Sequence, residues 1–117
     1  MEMREVSPPG RVTVEGYGPG FFRVGGRIWH EAVLVSERGV APWGGFEDVA
    51  PLVALAGAVD ILVIGTGAGM RPLPPGLRAA LDEADLAHEP MATGAACRSQ
   101  VVLMDEGRRT ALALLPV

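Results

Sequence analysis

Neither lysine nor asparagine occurs in this chain of 117 residues, and cysteine occurs once. All ten basic residues are arginine, which reads as a base-composition habit of the genome rather than as chemistry. A single cysteine excludes an internal disulfide and fits a reducing compartment, so a cytoplasmic location is expected. A basic stripe is also missing. The net charge is −4 with the signs interspersed, so nucleic acid is not expected as a partner. Apolar residues make up 49% and the mean hydropathy is +0.28. Even so, the longest apolar runs, 61–64 and 111–115, are far too short to span a membrane. The first ten residues, MEMREVSPPG, have no apolar stretch behind their charges and include acids, so neither a signal nor a transit peptide is expected. Histidine is scarce. His30-Glu31 and His88-Glu89 are adjacent pairs on expected strands, each pair pointing to opposite faces. No Cys/His spacing suits zinc, so no metal site and no cofactor is expected.

What is present is one domain's worth of chain, 1–117, long enough to bury about two thirds of its unfolded surface. Its first third alternates as β structure does. Val12 and Val14 interleave with Arg11, Thr13 and Glu15, the period of a half-buried strand. Tyr17-Gly18-Pro19-Gly20 reads as a turn, Phe22 and Val24 as one face of the next strand, and Gly25-Gly26 as a hairpin turn. Residues 32–35 make a further strand, and GVAPWGGF (39–46) a loop.

The period then changes. Glu47 and Asp48 suit a helix's first turn, followed by Val49, Leu52, Val53 and Ala56 at helical spacing, with Pro51 tolerable only that early. Residues 59–64 read as a buried strand. Pro75 opens a helix with the stripe Leu77, Ala80, Leu81 and Ala84. Residues 87–91 form a strand, 94–106 a helix stopped by Gly107, and 109–115 a strand apolar on both faces and therefore central. Helices alternating with strands after a meander predict an α/β layered sandwich: a central mixed β-sheet flanked by helices, plus an N-terminal antiparallel β meander.

Three ordered stretches, YGPGFFRVGG, DILVIGTGAGMRPLPPGLRAAL and MATGAACRSQVVLMDEGRRTALALLPV, resemble the domain-of-unknown-function 498 family over nearly the whole chain. That resemblance implies an α/β fold with a mixed sheet and an added β layer, and no established catalytic activity. Its relatives include archaeal and bacterial structural-genomics proteins and the mitochondrial complex I assembly factor 3, which implies work through protein contacts. Where family members carry Asp, and then Thr-Tyr-Asn, this chain has Ala92 and Ser99-Gln100-Val101. Loss of those polar groups speaks against an enzyme.

Candidate site residues follow from topology. If the strand before Gly65 and the strand before Thr93 are parallel, their following loops emerge at one sheet edge, where open α/β sheets bind ligands. Gly65, Thr66, Gly67, Arg71, Thr93, Gly94, Cys97 and Arg98 would then converge as an anion or small-molecule site. The glycine loop is no dinucleotide fingerprint. Pro72, Pro74 and Pro75 separate it from the next helix, and close backbone packing accounts for its glycines. Cys97 shares an apolar stripe with Val101 and Met104, the pattern of a packed thiol without a base to activate it. Arg98, one step round the helix, is either a solvated surface residue or an anion holder. Trp43 and Phe46, among glycines, are either a lid folded back on the sheet or interface anchors. The expected function is a non-enzymatic protein-interaction or assembly-factor-like module, with a protein partner or a second copy as the contact. The alternative is an anion or small-molecule binding domain, even a minimal enzyme, at the loop 65–69 and the helix start 93–98.

Overall fold

In the computed structural model, which describes residues 4–5 and 12–117, the chain opens on four antiparallel strands paired in sequential order. These are β1 (Arg4–Glu5), β2 (Val14–Gly18), β3 (Phe21–Val24) and β4 (Arg27–Trp29). Arg11, and the segment read for targeting signals apart from β1, lie outside the described residues. The expected turn at 17–20 is corrected. Tyr17 and Gly18 belong to β2, paired with Phe22 and Phe21, and only Pro19 and Gly20 turn. Tyr17 is 6% exposed, so burial of its ring holds those residues in the strand. The hairpin between β3 and β4 is as expected. Gly25 and Gly26 have φ of +62° and +73°, the left-handed pair that a type I′ turn requires and that side chains resist.

A second sheet of five strands follows. Its members are β5 (Val33–Ser36), β6 (Gly39–Pro42), β7 (Ile61–Thr66), β8 (His88–Met91) and β9 (Thr110–Leu115), in the order β6-β5-β9-β7-β8. β5 is antiparallel to β6 and β9, and β7 is parallel to β9 and β8. The sheet is mixed and β9 is its central strand, as two apolar faces require. Ala111 to Leu114 have no exposed surface.

Two sequence expectations fail between β5 and β7. Half of the expected loop 39–46 is strand β6, whose proline is tolerated because β6 is an edge. The expected helix shrinks to α1 (Ala50–Val53) with no acid in its first turn. Asp48 is otherwise engaged: its Oδ2 accepts from the Gly44 amide at 2.9 Å and its carbonyl from Trp43 Nε1 at 3.0 Å. The other helices are α2 (Pro75–Glu83), with Pro75 in its first turn and Leu77 and Leu81 buried, and α3 (Thr93–Asp105). α3 is stopped by Gly107, at φ +81°, with Arg108 N–H closing on Leu103 O at 3.0 Å.

Each face of the five-stranded sheet buries one core. On one face Val33, Val35, Val63, Leu112 and Leu114 pack with Tyr17, Phe22 and Val24 of the meander and with Ala96 and Cys97 of α3. On the other, Leu62, Ile64, Ala111 and Ala113 pack with Leu52, Leu77, Leu81 and Trp43. Full burial of each large aliphatic or aromatic side chain contributes about 1.5–3 kcal/mol. The meander, α3, and the α1–α2 side thus sandwich the mixed sheet.

Candidate functional site

The ends of β7 and β9 and the start of α3 do meet at one edge. Thr93 fixes the junction. Its N–H donates to Gly67 O at 2.9 Å, while its Oγ1 accepts from Gly67 N–H at 2.9 Å and donates to Leu115 O at 2.7 Å. Thr66 does the same for the loop. Its Oγ1 donates to Gly69 O at 2.7 Å, with Met91 O at 3.2 Å as the alternative acceptor, and accepts from Arg71 N–H at 3.0 Å. Gly65 permits the approach, since a Cβ there would lie 2.8 Å from both Leu114 Cδ2 and Thr93 Oγ1. The hydroxyls of Thr66 and Thr93 are therefore consumed in joining loop, helix and strand.

The two arginines part at this edge. Arg71 donates from Nε to Thr66 O at 3.1 Å and stacks its guanidinium 5.4 Å over the Phe46 ring. Phe46 packs against the core of the α1–α2 side, in edge contact with Trp43 at 6.2 Å. Arg98 instead reaches Tyr17, Nη1 donating to the phenol oxygen at 3.4 Å, on the meander side. Gly94 is needed beneath it, because a Cβ would stand 2.5 Å from Tyr17 Oη. The sheet edge separates the guanidinium groups instead of converging them.

Cys97 is fully buried. Burial pushes its thiol up to about 12, against a weaker opposing pull from the Arg98 charge, which favours the protonated thiol over the nucleophilic thiolate. His88 keeps Nδ1 at 2.9 Å from Leu86 O and Nε2 at 3.8 Å from Asp82, and His30 is exposed. Among the described residues no three His, Cys, Asp or Glu side chains are grouped to hold a metal ion. Trp43 is 4% exposed and Phe46 half-buried, the arrangement of a lid.

The feature that sequence reasoning missed lies on the flank of α3. Between α3 and the edge strand β8 runs an open groove of about 480 Å³, floored by Ile61, Val63 and Met91 and walled by Val102 and Leu103. Arg98, Arg108 and Glu89 also line it. Val102 is 58% exposed. A signal existed: Val101 to Met104 are four consecutive apolar residues, more than one face of a helix can bury. The expected stripe of Cys97, Val101 and Met104 is corrected. The buried face is Thr93, Ala96, Cys97 and Gln100, and Val101 and Met104 are only half-buried. The open edge of β8 is blunted. Leu62 N–H donates to Ala87 O at 2.9 Å, so alternation turns His88 and Pro90 outward, and proline offers no N–H there.

The architecture is a small two-sheet α/β sandwich with a glycine-closed sheet edge and a grooved helix flank. The chain belongs to the family described as Protein of unknown function (DUF498/DUF598), whose model matches residues 14–115. It is 44% identical over 117 residues to an uncharacterized protein of Rhodobacter capsulatus, covering 100% of this chain and 94% of that one. Among solved structures it is similar to an outer membrane protein from Bartonella henselae, at 31% identity and a TM-score of 0.80, over 93% of this chain and 98% of that one. It is also similar to a Mth938-like domain from Bordetella pertussis, at 27% identity and a TM-score of 0.75, over 99% of this chain and 92% of that one. Among the described residues no helix is long and apolar enough to cross a membrane.

Proposed function

We propose that the protein acts by contact with another protein chain, as an assembly-type module in the cytoplasm, and not by turning over a substrate. The observation that carries this reading is the groove beside α3, where Val102, 58% exposed, stands in an apolar trough with charged residues on its lining. Apolar surface rimmed by charge is the usual anatomy of a contact face. The buried thiol and the spent threonine hydroxyls support the non-catalytic part, since neither offers an activated nucleophile. A photo-cross-linking residue placed at position 102 and irradiated in the native host is the test. Covalent adducts with a protein are expected. A chain that stays free of protein adducts and co-purifies with a metabolite would overturn the reading.

A second reading, an anion site at the start of α3, is favoured by one feature. The N-cap is Ala92, and no side chain caps the helix, while Arg98 is held nearby by Tyr17. An anion there would meet both free amides and a guanidinium. Sulfate should then raise the melting temperature, and Arg98→Ala should remove the gain. An equal response in both proteins would eliminate it.

A further inference from the structure

The groove face is self-complementary, and we propose that its occupant is a second copy of this chain, docked antiparallel through α3 about a twofold axis at Val102. This rests on the protein-contact reading and names the partner. The outward stripe of α3 is Ala95, Arg98, Ser99 and Val102, continued by the C-cap residue Glu106, at the i, i+3, i+4, i+7, i+11 spacing of one helix face. Arg98 and Glu106 stand four residues either side of Val102. An antiparallel twofold places residues equally spaced about its centre opposite one another. Val102 then meets Val102 of the second copy, and each Arg98 comes within side-chain reach of the second copy's Glu106. Ser99 is small and lets the helix backbones approach.

The charges of the face support the same occupant. Arg98, Arg108, Glu89 and Glu106 are all exposed, and together they are neutral in a chain whose net charge is −4. Arg98, Arg108, Glu89 and Glu106 form no ion pair among the described residues, so their charges are available to a copy. A neutral patch with both signs interleaved is suited to association between two chains that otherwise repel. Asp105 makes a contact of its own and is left out of the pairing. The groove, with its floor of Ile61, Val63 and Met91, lies beside the Val102 contact and is covered from water when the second helix docks.

Sedimentation velocity on the full chain, with far-UV circular dichroism as a check of folding, decides the matter. The wild type should be a dimer. Val102→Glu should be monomeric. Arg98→Glu and Glu106→Arg should each weaken association by about tenfold or more, because each sets like charges against one another twice. Arg98→Glu combined with Glu106→Arg should restore the dimer, since both contacts re-form with the signs exchanged. A merely structural role for either residue would not give that rescue. A wild type that stays monomeric up to about 1 mM, a dimer that survives Val102→Glu, or a double variant no better than the singles would overturn the proposal. A monomeric chain that still cross-links a different protein through position 102 would overturn the second-copy assignment while leaving the protein-contact reading in place.

Discussion

Replacement of Trp43 by alanine tests whether the aromatic pair of the 43–48 loop is a lid or an anchor. The Trp43 ring is 4% exposed, in edge contact with Phe46 at 6.2 Å, and its Nε1 donates to Asp48 O at 3.0 Å. Loss of a buried tryptophan costs about 3–5 kcal/mol. The aromatic pair accounts for about 0.5–1.5 kcal/mol of that, and the hydrogen bond for about 1 kcal/mol. A domain of this size has roughly 5–15 kcal/mol in all, so Trp43→Ala should fall close to the threshold of folding. The assay is urea unfolding followed by circular dichroism, with the slope compared between variants to check that only stability has changed. The melting temperature should drop by roughly 12–20 °C. Trp43→Phe keeps most of the apolar burial and loses the donor, and should cost less than half as much. A loss under about 1 kcal/mol in Trp43→Ala, together with lost association, would refute the lid and make Trp43 an interface anchor.

Three further outcomes are expected. Cys97, fully buried and with its thiol pushed up to about 12, should react with a thiol reagent only slowly in the native state and rapidly in denaturant. Cys97→Ala should cost about 1–2 kcal/mol, and rapid native labelling at neutral pH would contradict the burial. Asp60 is bonded to the Arg109 side chain at 2.9 Å and to its amide at 2.8 Å, and the side-chain bond chiefly holds its carboxyl below the ordinary range. Because the folded value is the lower one, its stabilising contribution is present above the ordinary carboxylate range and is lost as pH falls through it and below. Asp60→Asn should flatten that acid-side loss in a series of melts, and an unchanged pH profile would show the pair to be inert. Gln100 is 1% exposed with Oε1 unpartnered. Gln100→Met should therefore stabilise the fold by about 1 kcal/mol, the cost of a buried orphan acceptor relieved, and a destabilised variant would mean that the amide oxygen has a partner.

Much of the fold was legible where a local signal and its tertiary role coincide. Gly25-Gly26 supplies the two left-handed residues of a hairpin whatever packs upon it, and Pro75 and Gly107 bound their helices through backbone chemistry alone. The double-sided apolar run of β9 could only be central. The misreadings fall where the deciding partner is remote. Glycine and proline at 39–42 are strand residues because β5 is there to pair with them and the other side is open. Asp48 reads as a first-turn acid, but the Gly44 amide and the Trp43 indole claim its carboxylate and carbonyl first.

The sheet edge was legible in the sequence and the groove beside α3 was not, and one threonine explains why. Two phases of α3 fit its sequence: one burying Cys97, Val101 and Met104, and another burying Ala96, Cys97 and Gln100. Hydrophobicity favours the first. The structure adopts the second because Thr93 is locked between Gly67 and Leu115 by three hydrogen bonds of 2.7–2.9 Å, which fixes the helix's rotation at its first residue. Positions three, four and seven beyond Thr93 then turn inward whatever they carry, and an unsatisfied glutamine enters the core. The same rotation turns Ala95, Arg98, Ser99 and Val102 outward along the groove. The groove face is thus set by the hydrogen bonds of the sheet edge, not by the polarity of α3. For that reason the choice of Val102, among the four apolar residues 101–104, as the exposed one follows from the position of Thr93 and could not be read from the helix alone.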